Sequence, residues 1–140
     1  SRDISFNEKI ENLIKKYSLE QKVKFYENIT NDNLARLYSK ADFYVSASKY
    51  EGFGMSLANA LILKKPIIAY KTKTILKTLG LKGVLYFNDF KVKNISKIIN
   101  ENINNKSKYN KIKSELISNK RKFLTPTQSA NLFIKGLKHA

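Results

Sequence analysis

Apolar positions fall into two spacings along this chain, one helical and one of short continuous runs, and the two alternate. Phe6, Ile10, Leu13, Ile14 and Tyr17 recur at helical spacing, and Ser5 with Glu8 three residues on makes a capping box, which predicts a helix over 6–17. The run 23–26 predicts a short strand. Thr30 then serves as N-cap for a helix carrying Leu34, Leu37 and Tyr38. Downstream the pattern predicts a strand over 43–46, a helix over 55–63, a strand over 67–70, a short helix over 74–79 ended by Gly80, and a strand over 84–87. Strands that alternate with helices argue for an α/β fold with a parallel sheet and helices on both faces. From residue 94 onward the pattern is helical. Asn94 caps a segment with Ile95, Ile98, Ile99 and Ile103, and Ser107 opens a Lys-rich helix through Ile112, Leu116 and Ile117. Thr125-Pro126-Thr127-Gln128 opens a last helix with Ala130, Leu132, Phe133 and Leu137. Neither an internal repeat nor a low-complexity linker interrupts residues 1–140, so the expectation is one domain with a helical part over 94–140.

The candidate chemistry concentrates in Tyr50-Glu51-Gly52-Phe53-Gly54-Met55-Ser56-Leu57-Ala58-Asn59-Ala60-Leu61, closed by Lys65-Pro66-Ile67-Ile68-Ala69. This stretch has the layout of strand end, glycine loop, helix N-terminus and next strand, which is the layout of an anion-binding turn. Gly52 and Gly54 let the main chain bend sharply and approach a ligand with no Cβ in the way. The N–H groups of Met55 and Ser56 at the helix start point outward, whatever their side chains. A phosphate or a sugar oxygen fits there. Glu51 precedes the turn, and its carboxylate accepts charge-assisted hydrogen bonds from hydroxyl groups. Phe53 is a packing residue that fixes the loop.

These residues resemble the C-terminal, nucleotide-sugar-binding domain of retaining glycosyltransferases with the GT-B fold, the large family-four group also called glycosyl transferases group 1. The resemblance rests on Glu51-Gly52-Phe53-Gly54 and Lys65-Pro66-Ile67-Ile68. It extends through Val23-Lys24-Phe25, Leu37-Tyr38, Ala41-Asp42-Phe43-Tyr44-Val45 and Gly83-Val84-Leu85-Tyr86. It implies a Rossmann-like sheet and retaining, metal-independent transfer of a hexose from a nucleotide-sugar such as a UDP-linked one, with no cofactor. The acceptor, a glycan, a lipid-linked group or a protein, would be held by a separate N-terminal domain. On this resemblance Glu51 is the catalytic-site carboxylate on the donor sugar, and Gly52, Phe53, Gly54, Met55 and Ser56 line the donor. Asn59 stands where the family has a second Glu for the ribose diol. Tyr26, Glu27 and Asn28 match the segment that contacts the base through the main chain, although Gly is common where this chain has Glu27. Family domains open with two strands, a Gly-Arg turn with a Lys and a Gly-x-Gly before the first helix, so the expectation is a domain fragment that starts after those strands and binds rather than catalyses.

Composition narrows the alternatives. The 140 residues are 42% hydrophobic and 11% aromatic, which excludes a disordered chain and suits a globular domain. Cysteine is absent and histidine occurs once, so disulfides and thiolate metal sites are excluded and no metal site is expected. Apolar runs are too short to span a bilayer, and Ser1-Arg2-Asp3 does not open a signal peptide, so the expected location is cytoplasmic, including the cytoplasmic face of a membrane. A formal charge of +16 favours anionic partners: a nucleotide diphosphate, an acidic lipid surface or nucleic acid. The charge is nearly all Lys and travels with abundant Asn and Ile, so compositional bias explains it as well. Lys106, Lys108, Lys111, Lys113, Lys120, Arg121 and Lys122 read either as a solvated face or as an attraction to anionic lipid, and too few aromatics interleave them for a nucleic-acid binder. Lys71 and Lys73, after the strand ending at Tyr70, read as diphosphate contacts or as a solvated loop. Two other classes stay open: a non-catalytic relative in which Asn59 and the altered base segment mark a lost site, and a basic membrane- or nucleic-acid-binding module.

Overall fold

The computed structural model describes residues 4–51 and 54–118. The element order is α1 (Ile4–Lys16), α2 (Asn31–Lys40), β1 (Tyr44–Ser46), α3 (Met55–Ile62), β2 (Ile67–Tyr70), α4 (Lys73–Leu79), β3 (Val84–Phe87), α5 (Val92–Ile103) and α6 (Lys106–Ile117). The chain falls into two compact units, Ser1–Leu34 and Ala35–Ala140.

In the first unit, α1 starts before Ser5, so Ser5 lies inside the helix and does not cap it. The helix ends without glycine. Ser18 takes a left-handed φ of 51°. The Leu19 N–H then donates to the Ile14 carbonyl at 2.9 Å and the Ser18 N–H to Lys15 at 3.1 Å, the paired bonds of a Schellman motif. The strand predicted over 23–26 is absent, and the segment there is irregular, with Phe25 62% exposed. Its residue types favour a strand, but a strand exists only where a neighbour pairs with its backbone, and no described residue does so. Thr30 meets expectation: its Oγ1 accepts from the Asn33 N–H at 3.3 Å.

The second unit is built on a three-stranded, all-parallel sheet ordered β1-β2-β3, with Ser46 beside Ala69 and Tyr70 beside Phe87 in register. The architecture is α/β, as the alternation of elements predicts, and Rossmann-like, as the family resemblance implies. Parallel neighbours need a crossover, and α3 and α4 supply the two crossovers while packing on each other. Ile67, Ile68 and Ala69 of the central strand have no exposed surface. Successive strand residues point to opposite faces, so both faces of β2 are covered. The other buried residues of the core include Leu57, Ala58, Ala60 and Leu61 of α3, which packs on β2, with Ile75 and Leu79 of α4 and Leu116 of α6.

Helix boundaries follow local hydrogen bonding. Thr72 caps α4, with Oγ1 accepting from the Ile75 N–H at 3.0 Å, and Gly80 ends that helix at φ 75°. Asn94 and Ser107 are not caps: α5 begins at Val92, and Asn105 caps α6 by accepting from the Lys108 N–H at 3.0 Å. Asn94 instead donates to the Asp89 carboxylate at 2.9 Å. In α5 the buried position of the last turn is Asn102, whose Nδ2 donates to the Ile98 carbonyl at 2.7 Å, whereas Ile103 is half exposed. A polar group satisfied within its own helix is buried at little cost. The helix expected after Thr125 lies outside the described residues. No helix among the described residues is long and apolar enough to cross a membrane.

Two contacts tie distant elements together. Gly83, at φ 74°, lies so close to α6 that a Cβ would meet the Leu116 backbone at 2.5 Å. Tyr38 of α2 stacks on Tyr44 of β1 at 5.6 Å and donates to the Ser56 carbonyl in the first turn of α3 at 3.0 Å. Gly83→Ala should cost about 2–4 kcal/mol, from left-handed strain plus the clash with α6, read as a lowered denaturation midpoint. Burial first, and then Tyr44 beside it, raise the Tyr38 hydroxyl above its usual value. Above about pH 10 an unfolded tyrosine releases its proton while Tyr38 in the fold resists, so stability is complete below that pH and is lost as pH rises through the raised value. Urea midpoints between about pH 9 and pH 11 should fall in the wild type and fall less in Tyr38→Phe.

Candidate functional site

In an open parallel sheet the carboxyl ends of the strands are where loops and helix N-termini converge on a ligand. Here that edge carries the loop after Ser46, Lys71 and Thr72 after β2, and Asn88, Asp89 and Phe90 after β3.

The first of these loops delivers the predicted motif. Gly54 opens α3 in the left-handed region, φ 71° and ψ 51°, and makes no side-chain cap. Its carbonyl accepts from the Ala58 N–H at 2.8 Å, so the helix starts cleanly while nothing from residue 54 covers the amides of Met55 and Ser56. A Cβ on Gly54 would sit 3.1 Å from Leu57 Cδ1. Leu57 is buried, and this fixes the direction of the first turn. Tyr38 supports the same turn from α2 through the Ser56 carbonyl. Pattern reading places Tyr38 only in an apolar stripe and misses this role, because the partner is a main-chain atom 18 residues away.

Glu51 is half-buried and makes no hydrogen bond or ion pair among the described residues. Asn59 lies one turn into α3, on the same side as Met55 and Ser56, and is half-buried while Leu57, Ala58, Ala60 and Leu61 are buried. The structure therefore places Glu51, Gly54, Met55, Ser56 and Asn59 on one loop-helix segment. Gly52 and Phe53 lie outside the described residues. Tyr26, Glu27 and Asn28 belong to the first unit. All three are exposed, and Asn28 has a left-handed φ of 51°.

Lys65 of the Lys-Pro pair has a structural task. Lys64 takes φ 54°, and the Lys65 N–H bonds to the Ala60 carbonyl at 2.9 Å, which ends α3. Lys65 Nζ then donates to the carbonyls of Ser39 and Ala41 at 2.6 and 3.1 Å, capping the C-terminal end of α2. One residue thus closes two helices just before β2.

The other two loops meet through aromatic rings. Tyr70 at the end of β2 lies 4.5 Å from Phe90 and 5.7 Å from Phe87, and Phe87 meets Phe90 edge-on at 5.6 Å. Lys49, two residues before Glu51, places Nζ 5.0 Å from the centre of the Phe90 ring. Lys71 and Lys73 are exposed. A hollow of about 340 Å³ lies beside this edge, lined by Tyr86, Phe87, Asn88, Asp89, Asn94, Lys97, Ile98 and Glu101. A larger one, about 400 Å³, sits at the opposite edge between Asp42, Phe43, Ile103, Asn104, Lys106 and Tyr109. Neither of these two hollows includes Glu51 or a residue of α3.

The family model for glycosyl transferases group 1 matches residues 3–123. The chain belongs to this family. No curated protein matches it significantly. The glycosyltransferase match spans α1 to α6 and takes in the glycine loop, the Lys-Pro pair and the aromatic edge. It supports glycosyl transfer as the function and implies a nucleotide-sugar donor and an acceptor.

Gly54→Ala should cost about 1–2 kcal/mol of stability, since it forces an L side chain into the left-handed region against Leu57. Chemical denaturation checks the loss, and amide shifts of Met55 and Ser56 should report a reoriented first turn.

Proposed function

We propose that this domain holds the nucleotide-sugar donor of a retaining, metal-independent glycosyltransferase that passes a hexose to a glycan, lipid-linked or protein acceptor bound by a separate N-terminal domain. The observation that carries the reading is Gly54 in the left-handed region, opening α3 at the carboxyl end of β1 immediately beyond Glu51. In this reading the amides at the start of α3, with Gly52 and Phe53, face sugar or phosphate oxygens, and the helix dipole favours the negative charge that builds on the leaving diphosphate. Glu51 accepts hydrogen bonds from hydroxyls of the transferred sugar and holds it still while the bond to the diphosphate breaks. Asn59 takes the ribose diol, and Tyr26, Glu27 and Asn28 take the base. Transfer then takes place at the cytoplasmic side. The exposed Lys106, Lys108, Lys111 and Lys113 of α6 favour an anionic membrane surface as the setting.

Asn59 also favours a second reading, a non-catalytic relative. A neutral hydrogen bond contributes about 0.5–1.5 kcal/mol against about 1.5–3 for a charged one, so a donor held by Asn there is bound about tenfold more weakly than by Glu. An NMR titration of the chain with UDP-, GDP- and ADP-glucose separates the two. Shifts centred on 51–59 for one nucleotide, about tenfold tighter in Asn59→Glu and about tenfold weaker in Glu51→Gln, are the expected result. A donor that binds neither the wild type nor Asn59→Glu would refute the donor site.

A further inference from the structure

Lys49 sits on the loop that carries Glu51, yet its ammonium group makes no ion pair among the described residues. What it meets is a ring. Nζ lies 5.0 Å from the Phe90 centroid, within the range where a cation is held by the negative face of an aromatic ring. That ring is itself fixed. Phe90 packs at 4.5 Å against Tyr70 and edge-on against Phe87. The turn that presents it is tied by Asp89, whose carboxylate accepts from the Lys91 N–H at 3.0 Å and from Asn94 Nδ2 at 2.9 Å. Tyr70 is anchored in turn, because the next residue, Lys71, donates its N–H to the Phe87 carbonyl at 2.9 Å. Lys49 therefore rests on a platform made by the ends of β2 and β3, whereas Glu51 belongs to the loop after β1. At its far end this loop is held by Gly54 over the buried Leu57. The Lys49 contact is the tether at the near end.

We infer that Lys49 is a positioning residue: by lying over Phe90 it holds the loop after β1 against the loop after β3 and so sets where the Glu51 carboxylate stands. The inference rests on the reading of Glu51 as a donor-sugar contact, but the tether itself is testable without a donor. A methylene chain over a ring face is shifted upfield by the ring current, so the Lys49 ε-protons give a direct signature.

The experiment compares the full chain with Lys49→Met, Lys49→Arg and Phe90→Leu by NMR, first alone and then with the three nucleotide-glucose donors. Expected are upfield Lys49 ε-protons that return to ordinary values in Phe90→Leu. The Glu51 amide should move and exchange faster in Lys49→Met and Phe90→Leu, and Lys49→Arg should restore it, because a guanidinium also rests on a ring. Donor affinity should fall about two- to fivefold in Lys49→Met and Phe90→Leu and stay near wild type in Lys49→Arg. Ordinary ε-proton shifts in the wild type, or a Glu51 amide indifferent to Lys49→Met, would overturn the tether. Weaker binding in Lys49→Met with none in Phe90→Leu would also overturn it, since Lys49 would then act on the ligand directly. If the NMR signatures are present and no donor binds, the tether stands and the donor reading of Glu51 is what fails.

Discussion

Everything positioned at the candidate site depends on the burial of β2. Ile67, Ile68 and Ala69 are sealed on both faces and paired on both edges, so the two neighbouring strands have no freedom to slide. A one-residue slip would exchange the faces of every side chain on a strand, and with both faces buried there is no tolerant alternative. The crossovers α3 and α4 inherit their places from this register. Each fully buried Ile side chain contributes about 1.5–3 kcal/mol of transfer free energy, enough to make the strand the fixed reference for the unit.

The loops at the carboxyl edge are held in two different ways. Gly54 is set by main-chain geometry: its left-handed conformation and the buried Leu57 fix how α3 starts, and Tyr38 reaches over from α2 to the Ser56 carbonyl. The loops after β2 and β3 are set by side-chain stacking of Tyr70, Phe87 and Phe90, with Asp89 and Asn94 bracing the turn. Lys65 shows how closely the scaffold and the motif are joined. It ends α3 with its main chain and α2 with its ammonium group, so this motif residue serves the fold that presents the site.

Much of the fold was legible in the chain. The runs Ile67-Ile68-Ala69-Tyr70 and Val84 to Phe87 are short, apolar and bounded by Pro66, Lys71 and Gly83, and both strands match the predicted limits. Alternation of strand and helix signals gave the parallel sheet, because sequential parallel strands have no other economical connection. Thr30 and Gly80 marked helix ends through mechanisms that operate within a few residues. Gly54 marked the start of α3 for the same reason, since a left-handed residue before a helix is a local requirement that glycine meets best.

What failed, or could not be read, depended on partners distant in sequence. The segment at 23–26 has strand-forming residues, but pairing is a property of two segments and propensity belongs to one. Asn94 and Ser107 resemble caps, but α5 begins at Val92 with no side-chain cap from Lys91, and α6 is capped by Asn105. The close approach of Gly83 to Leu116 of α6 joins positions far apart in the chain and has no local signature. Lys49 over Phe90 joins positions 41 apart, and no spacing rule links them. Outside the segment 23–26, the sequence by itself determined the kinds of element over the described residues, their order and the motif that names the family, because these follow from short-range periodicity and local backbone demands. Only the tertiary structure decided which rings, carbonyls and ammonium groups meet around that motif, because such contacts are selected by the packing of the whole sheet and its helices.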